Sequence, residues 1–284
     1  MHCVTTDDTP LLDHLQRLFE DSSRTTLRKL LHNSRVRVNG AIEKDGRRLL
    51  RPSDVVVVAR KAVQENLNPA LALLYEDADL IVVAKEEGLL TVASLGEREA
   101  TAQAYLNRYL RSQGGHSRIQ VVHRLDRDTS GVLVFPRTFP AKEKLKQQFA
   151  LHTIERIYVA IVEGKLVKDS GTMQSFLDDE KPKVRIISNP VKGKLATTHY
   201  TTVRRTAKYS MAEVRLETGK RNQIRVQFAE LGHPVIGDHL YGSGTDPLGR
   251  LGLHARTLGF THPTTGKKMS FTAPLPEAFT KLME

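Results

Sequence analysis

A single cysteine, Cys3, in 284 residues leaves no internal disulfide framework and no multi-cysteine metal site. It fits a reducing compartment, so a cytoplasmic protein is expected. No apolar run approaches the roughly 18 residues that cross a membrane as a helix. The first 20 residues hold Asp7, Asp8, Asp13 and Glu20 against Arg17 alone, unlike a secretory or transit peptide. No GxGxxG or GxxxxGK[ST] loop is present, and His233, His239, His254 and His262 lack the spacing of a His-Glu-x-x-His metal site. Neither a cofactor nor a metal is expected. Acidic residues are also in deficit. The 43 Lys and Arg outnumber the 32 Asp and Glu, for a formal charge of +11, which points to a polyanionic partner, most simply nucleic acid. With 39% hydrophobic and 26% charged residues, the chain is nevertheless that of a folded protein long enough for one or two domains.

The excess charge is local. Between Ser22 and Arg51 nine basic residues (Arg24, Arg28, Lys29, Arg35, Arg37, Lys44, Arg47, Arg48, Arg51) face only Glu43 and Asp45, so thirty residues carry +7. Around them, Leu11, Leu12, Leu15, Leu18 and Phe19 follow helical spacing after Pro10. Ser22 or Ser23 can cap a second helix bearing Leu27, Leu30 and Leu31, with Arg24, Arg28 and Lys29 outside its apolar stripe. Arg35–Val38 alternates with period two into the tight-turn signal Asn39-Gly40, and Asp54–Ala59 reads as a further short strand. Such a run is most simply a solvated surface. Two helices leading into Val-Arg-Val-Asn-Gly, however, resemble the RNA-binding module named after ribosomal protein S-four. The resemblance spans about residues 8–62. It implies a first domain at 1–66 in which Arg24, Arg28, Lys29, Arg35 and Arg37 contact RNA phosphates, giving affinity but little sequence choice.

Residues 63–70 read as a linker closed by Asn68-Pro69, and a second domain is expected over 67–284. Strand candidates there are Leu73–Tyr75, Leu80–Val83, Val121-Val122, Gly131–Phe135, Ile157–Val162, Val184–Ile187, His199–Val203, Met211–Leu216 and Ile224–Phe228; Ala141–Leu151 is the clearest helix. Many strands with few helices predict an α+β fold built on a large mixed sheet.

The polar segment His123-Arg124-Leu125-Asp126-Arg127-Asp128-Thr129-Ser130-Gly131 lies between apolar strand candidates, where a rigid support can hold a reactive loop. A loop aspartate beside two arginines is ordinarily a surface ion pair. The string HRLDxxTSG, followed by Val-Leu-Val-Phe, resembles the signature of RluA-type pseudouridine synthases. The resemblance continues in order through Leu73–Val83 with Gly88–Val92, Ile157–Gly164, Leu216–Val226, Gly232–Asp238 and Leu253–Ala255, covering about residues 70–280.

That family implies a mostly antiparallel mixed sheet and an isomerase converting uridine in RNA to pseudouridine. The bond from ribose carbon 1′ to the base nitrogen breaks, the base turns, and carbon 5 joins the ribose. The family motif places Asp126 at the sugar, either as nucleophile on carbon 1′ or as base for a ribose proton. Arg225 matches the basic residue that pairs with this carboxylate and orients it. Tyr158 matches the tyrosine that stacks on uracil, with a hydroxyl able to assist proton transfer at carbon 5. Because a target base must leave its stack, Arg124 is expected to fill the vacated space or stack on a neighbouring base, and Arg127 to contact phosphate. His123 reads as a hydrogen-bonded anchor and Asp128 as a residue that caps the loop.

The sequence departs from the family at Lys85-Glu86-Glu87-Gly88, where Lys-Pro-Ala-Gly is usual, and at Asn222 and Gln227, which stand in place of histidines. These changes are expected to touch RNA contacts or loop order rather than catalysis. Large-subunit ribosomal RNA is the expected substrate, with transfer RNA second, and the protein is expected to be a monomer. Two other readings are a non-catalytic RNA-binding assembly factor and an RNA glycosidase, which would need a second carboxylate.

Overall fold

The computed structural model describes residues 2–5, 8–32, 35–58, 67–93, 100–113, 118–180 and 183–284. The end of the strand read at Ala59 and linker residues 63–66 lie outside them. The chain packs into two units, Met1–Leu67 with Tyr105–Arg118, and Asn68–Ala104 with Ile119–Glu284. The segment Tyr105–Arg118, assigned from sequence to the second domain, thus groups with the first. It carries most of a helix whose Leu106 and Leu110 are buried, and an apolar stripe does not say against which body it packs.

The first unit contains β1 (His2–Val4), β2 (Thr9–Pro10), α1 (Leu11–Leu18), α2 (Arg24–His32), β3 (Val36–Val38), β4 (Ala41–Ile42), β5 (Leu49–Leu50) and β6 (Val55–Val58). Ser23, not Ser22, caps α2, its hydroxyl accepting from the Thr26 amide at 3.2 Å. Asn39 and Gly40 both take positive φ, 51° and 83°, as a two-residue hairpin between β3 and β4 requires. Leu11, Leu15, Leu27, Leu31, Val36, Val38, Leu50 and Val56 form one core. The same periodicity that buries these leucines leaves Arg24, Arg28 and Lys29 exposed.

The second unit follows the order β7 (Leu71–Glu76), β8 (Leu80–Lys85), α3 (Ala102–Ser112, its C-terminal part grouped with the first unit), β9 (Ser130–Pro136), α4 (Phe139–Ala150), β10 (Glu155–Glu163), β11 (Ser170–Asp178), β12 (Arg185–Ile187), β13 (Lys194–Arg205), β14 (Tyr209–Leu216), α5 (Gln223–Glu230), β15 (Leu253–Thr261), β16 (Lys268–Thr272) and α6 (Glu277–Leu282). The strands form one sheet in the order β12-β11-β13-β14-β10-β15-β9-β8-β7, with β16 also paired to β15. This is the α+β fold with a large mixed sheet expected. Every pairing is antiparallel except that of β15 with β9. Leu80–Val83 and Val132–Phe135 are buried on both faces, which is why β8 and β9 read as continuous apolar runs.

Two readings are corrected. Val121-Val122 forms no strand. Ile224–Phe228 is helical, inside α5, and not a strand. Ile224 and Phe228 lie one turn apart in a core with Ala160, Val214 and Val235, and Gln223 and Gln227 share a buried polar side. A five-residue apolar run is compatible with either structure, and tertiary packing decides.

The parallel contact of β9 with β15 depends on Gly131, at φ 122°. A Cβ there would overlap the Ala255 carbonyl, and that backbone conformation is costly for any other residue. Gly131→Ala is expected to lower stability by about 3 kcal/mol, read as a fall in the urea midpoint. An unchanged midpoint would contradict the close approach.

Candidate active site

The loop that precedes β9 is tied down at almost every residue. The His123 ring stacks on Phe149 at 5.0 Å between centroids, and its Nε2 accepts from the Val134 amide at 3.1 Å. Burial, aided by the charge of Arg156, pushes His123 down to about 3, so it stays neutral and anchors. Thr91 Oγ1 donates to the Leu125 carbonyl at 2.8 Å and accepts from its amide at 3.1 Å. The turn closes from the Thr129 amide to the Asp126 carbonyl at 3.2 Å. Beyond it, Arg250 donates to Ser130 Oγ at 2.7 Å, and Ser130 Oγ donates to His254 Nδ1 at 2.8 Å, since His254 Nε2 faces the Ala273 carbonyl.

Lys85 is the least expected of these ties. Only 1% exposed, its ammonium donates to the carbonyls of Glu86 and Leu89 at 2.8 Å and of Arg127 at 3.0 Å. Burial pushes it down to about 8, against the opposing charges of Asp128, Glu87 and Asp126. The departure Lys85-Glu86-Glu87-Gly88 has a structural use as well: Glu87 forms an ion pair with Arg250, joining this segment to Ser130.

With the loop held, Asp126 faces a cavity of about 700 Å³ lined also by Arg124, Arg156, Tyr158, Lys220, Arg221 and Arg225. The Asp126 side chain is 27% exposed and lies 3.3 Å from Nη1 of Arg225. Arg225 is held mainly from its other side. Its Nε and Nη2 donate to the two oxygens of Asp238 at 2.6 and 2.7 Å, a paired geometry stronger than a single bond. The Asp238 side chain is fully buried. Burial alone would push Arg225 down, but the bonds and charge of Asp238, with the charge of Asp126, hold it above its ordinary value. Arg225 stays cationic.

Asn222 starts α5 at φ 53°, a conformation asparagine tolerates better than most residues. Its side chain reaches Arg225 Nη1 at 3.4 Å and Tyr241 Oη at 3.1 Å. Gln227, 3% exposed, is nowhere near solvent; it bonds Thr198, Ser175 and the Ala196 carbonyl, so the expected effect on RNA contacts does not apply to it. Tyr158 on β10 is half-buried in the cavity wall, and burial pushes its hydroxyl up to about 12. Arg124 is exposed at the cavity, whereas Arg127 is exposed outside its lining. Asp128 is exposed, and among the described residues its carboxylate makes no hydrogen bond, so it does not cap the loop as expected. Arg24, Arg28, Lys29, Arg35 and Arg37 all belong to the first unit. Among the described lining residues Asp126 is the one carboxylate, so the pair needed by a glycosidase is not assembled.

The sequence profile of the family described as RNA pseudouridylate synthase matches residues 79–230. The chain belongs to this family, and is of RluA type. It is an isomerase that converts uridine in RNA to pseudouridine. It is 34% identical to an RNA pseudouridine synthase of Bacillus subtilis, over 93% of this chain and 89% of that one. It is 31% identical to the ribosomal large subunit pseudouridine synthase D of Pseudomonas aeruginosa, over 94% and 88%. The solved structure of human RNA pseudouridylate synthase domain containing 4 shares the fold, with a TM-score of 0.61 at 20% identity over 74% of this chain and 90% of that one.

Asp238 and Thr91 lie within the family-like motifs but carry no role legible in the sequence, and Arg156 falls just outside them. A buried Asp two residues after Val-Ile in a glycine-flanked turn is recognisable only once α5 is known to be a helix. Asp238→Asn leaves Arg225 a buried cation with half its anchor. We expect a loss of about 3 kcal/mol in stability and a fall in turnover at least as large as that in folded protein, measured by denaturant unfolding and product formation on the same preparation. Unchanged values would separate Arg225 from Asp238.

Proposed function

We propose that this enzyme modifies large-subunit ribosomal RNA, acting as a cytoplasmic monomer with an S-four-like docking module at residues 1–66 and a catalytic domain at 67–284. Asp126 is the catalytic carboxylate. The observation that carries this assignment is that one partly exposed carboxylate faces the cavity, with an arginine clamped behind it. Asp126 either attacks carbon 1′ as the bond to N1 breaks or takes a ribose proton. Either route uses a charged carboxylate held in one orientation, and the Arg225–Asp238 pair supplies both the opposing charge and the rigidity. The Tyr158 ring offers the base a flat wall. Its hydroxyl, raised to about 12, is protonated at neutral pH and enters as a hydrogen-bond donor. Arg124, exposed at the cavity, occupies the space left by an extruded base, and Arg127, exposed outside the lining, meets phosphate.

The choice of ribosomal RNA rests on the relative from Pseudomonas aeruginosa, named for the large ribosomal subunit, which matches almost the whole chain. The docking role of the first unit is supported by its exposed Arg24, Arg28 and Lys29. Among the described residues Arg24 alone of these three forms an ion pair, with Asp13 at 2.7 Å, and that pair is exposed and weak.

RNA labelled with tritium at uridine carbon 5 releases label to water only where pseudouridine forms. Asp126→Asn is expected to cut that release about a thousandfold or more while RNA binding persists; retained release would remove Asp126 from the chemistry. Mapping pseudouridines in total RNA with and without the gene identifies the substrate, and a missing site in transfer RNA alone would overturn the ribosomal assignment.

The joint variant Arg24→Ala, Arg28→Ala, Lys29→Ala is expected to weaken RNA binding and flatten the dependence of log affinity on log salt by about 2 to 3. Turnover at saturating RNA should hold. An unchanged slope would place RNA docking elsewhere.

A further inference from the structure

Arg156, on β10 two residues before Tyr158, lines the cavity yet has no partner adequate to its charge. It is 8% exposed. Among the described residues no carboxylate pairs with it; Nη2 donates to the Glu217 carbonyl at 3.0 Å, and its guanidinium carbon lies 5.8 Å from the centre of the Phe149 ring. Nε is buried with no hydrogen-bond partner. Arg137, the other arginine of this unit with a buried unpaired Nε, has an ion pair to Glu76 at 3.1 Å. The space around Arg156 is kept by Gly219, where a Cβ would overlap Nη1. A desolvated cation with unused donors is costly to retain unless something else completes it.

We propose that Arg156 is a further catalytic residue, whose guanidinium binds a carbonyl oxygen of uracil and takes up the negative charge that develops on the detached base. This rests on the assignment of uridine isomerisation to Asp126. As the bond from carbon 1′ to N1 breaks, its electron pair goes to N1, and the uracil anion shares its charge with O2 and O4. On the sugar, Asp126 bonds carbon 1′ or receives the carbon 2′ proton. Carbon 5 then bonds carbon 1′ as the Asp126–carbon 1′ bond breaks, or as the proton on Asp126 returns to carbon 2′; the carbon 5 proton passes to water and N1 takes a proton from water. Arg156 changes no bond; it donates hydrogen bonds that strengthen as charge reaches the carbonyl oxygen, the arrangement that lowers a barrier. A uracil lying against Tyr158, Arg156's neighbour on β10, comes within reach of that guanidinium. A phosphate of the RNA backbone would meet the exposed Arg124 first.

The test uses the full-length enzyme and an RNA fragment containing the uridine identified by mapping, made with uridine, 2-thiouridine or 4-thiouridine at that position. Sulfur accepts hydrogen bonds poorly. The wild type is expected to lose turnover with one of the two thio substitutions, and that loss should vanish in Arg156→Met. Arg156→Met itself should lower turnover of the uridine fragment about a hundredfold with RNA affinity unchanged, and Arg156→Lys should restore part of it. A wild type indifferent to both sulfurs overturns the proposal even if Arg156→Met does not fold. So does a thio effect of the same size in wild type and variant. If the wild type releases no tritium from any RNA, the failure lies in the assignment of the reaction and not in Arg156.

Discussion

The arrangement of the site depends on one buried bidentate pair, Arg225 with Asp238. Each partner alone would be an uncompensated charge in the interior, so neither is free to leave the other. The consequence reaches Asp126. An arginine held only by that partly exposed carboxylate would have many rotamers and would drift with solvent. Fixed by two short bonds from behind, at 2.6 and 2.7 Å, it presents the remaining Nη1 at 3.3 Å. In the proposed reading the longer distance is the useful one, because Asp126 keeps one side open to the cavity. A tight pair there would have consumed the carboxylate.

The same logic governs the loop. His123, Leu125, Arg127 and Ser130 are each tied to a different element, by a ring and an amide, a hydroxyl, a buried ammonium and a second arginine. Arg124 and Asp126 lie between those anchors and line the cavity. Holding the loop at these points leaves its backbone little conformational entropy to lose when a substrate arrives. Lys85 fits this role better than an uncharged donor would. Its three hydrogen bonds converge on carbonyls from two segments, and a tetrahedral ammonium is the side-chain group with three donors and no acceptor.

Local patterns were legible in the sequence to the extent that one residue's neighbours in the chain were also its neighbours in space. The leucines of α1 and α2, the Asn39-Gly40 hairpin and the doubly buried β8 and β9 all satisfy that condition. The HRLD loop satisfies it on one side, where β9 follows directly; the strand read before it does not form. Ile224–Phe228 did not satisfy it, because five apolar residues suit either period and only the packing of Phe228 and Val226 against different strands selects a helix. That one ambiguity concealed the rest of the site. On a strand Arg225 would have had no necessary relation to Asn222, three residues earlier, or to Asp238, thirteen residues later. Arg156 was hidden for a different reason. Its significance lies in the partners it lacks, and an absent partner leaves no mark on a linear pattern.

The cations of this protein therefore fall into two physical classes. Those of α2 stand in water, where each is cheap to keep, strongly screened by salt and worth little individually. Arg156, Arg225 and Lys85 are desolvated, so their charges act over short distances at much higher strength, and each must be answered by a specific group. Asp238 answers Arg225, and three carbonyls answer Lys85. In the proposed reading the solvated class sets how tightly RNA is held, while the desolvated class sets what happens to one base of it. That separation lets affinity be tuned by surface substitutions without altering the barrier. It also explains why an unanswered member of the second class is informative: a cation in solvent needs no partner, but a buried one that faces a cavity implies negative charge in its ligand.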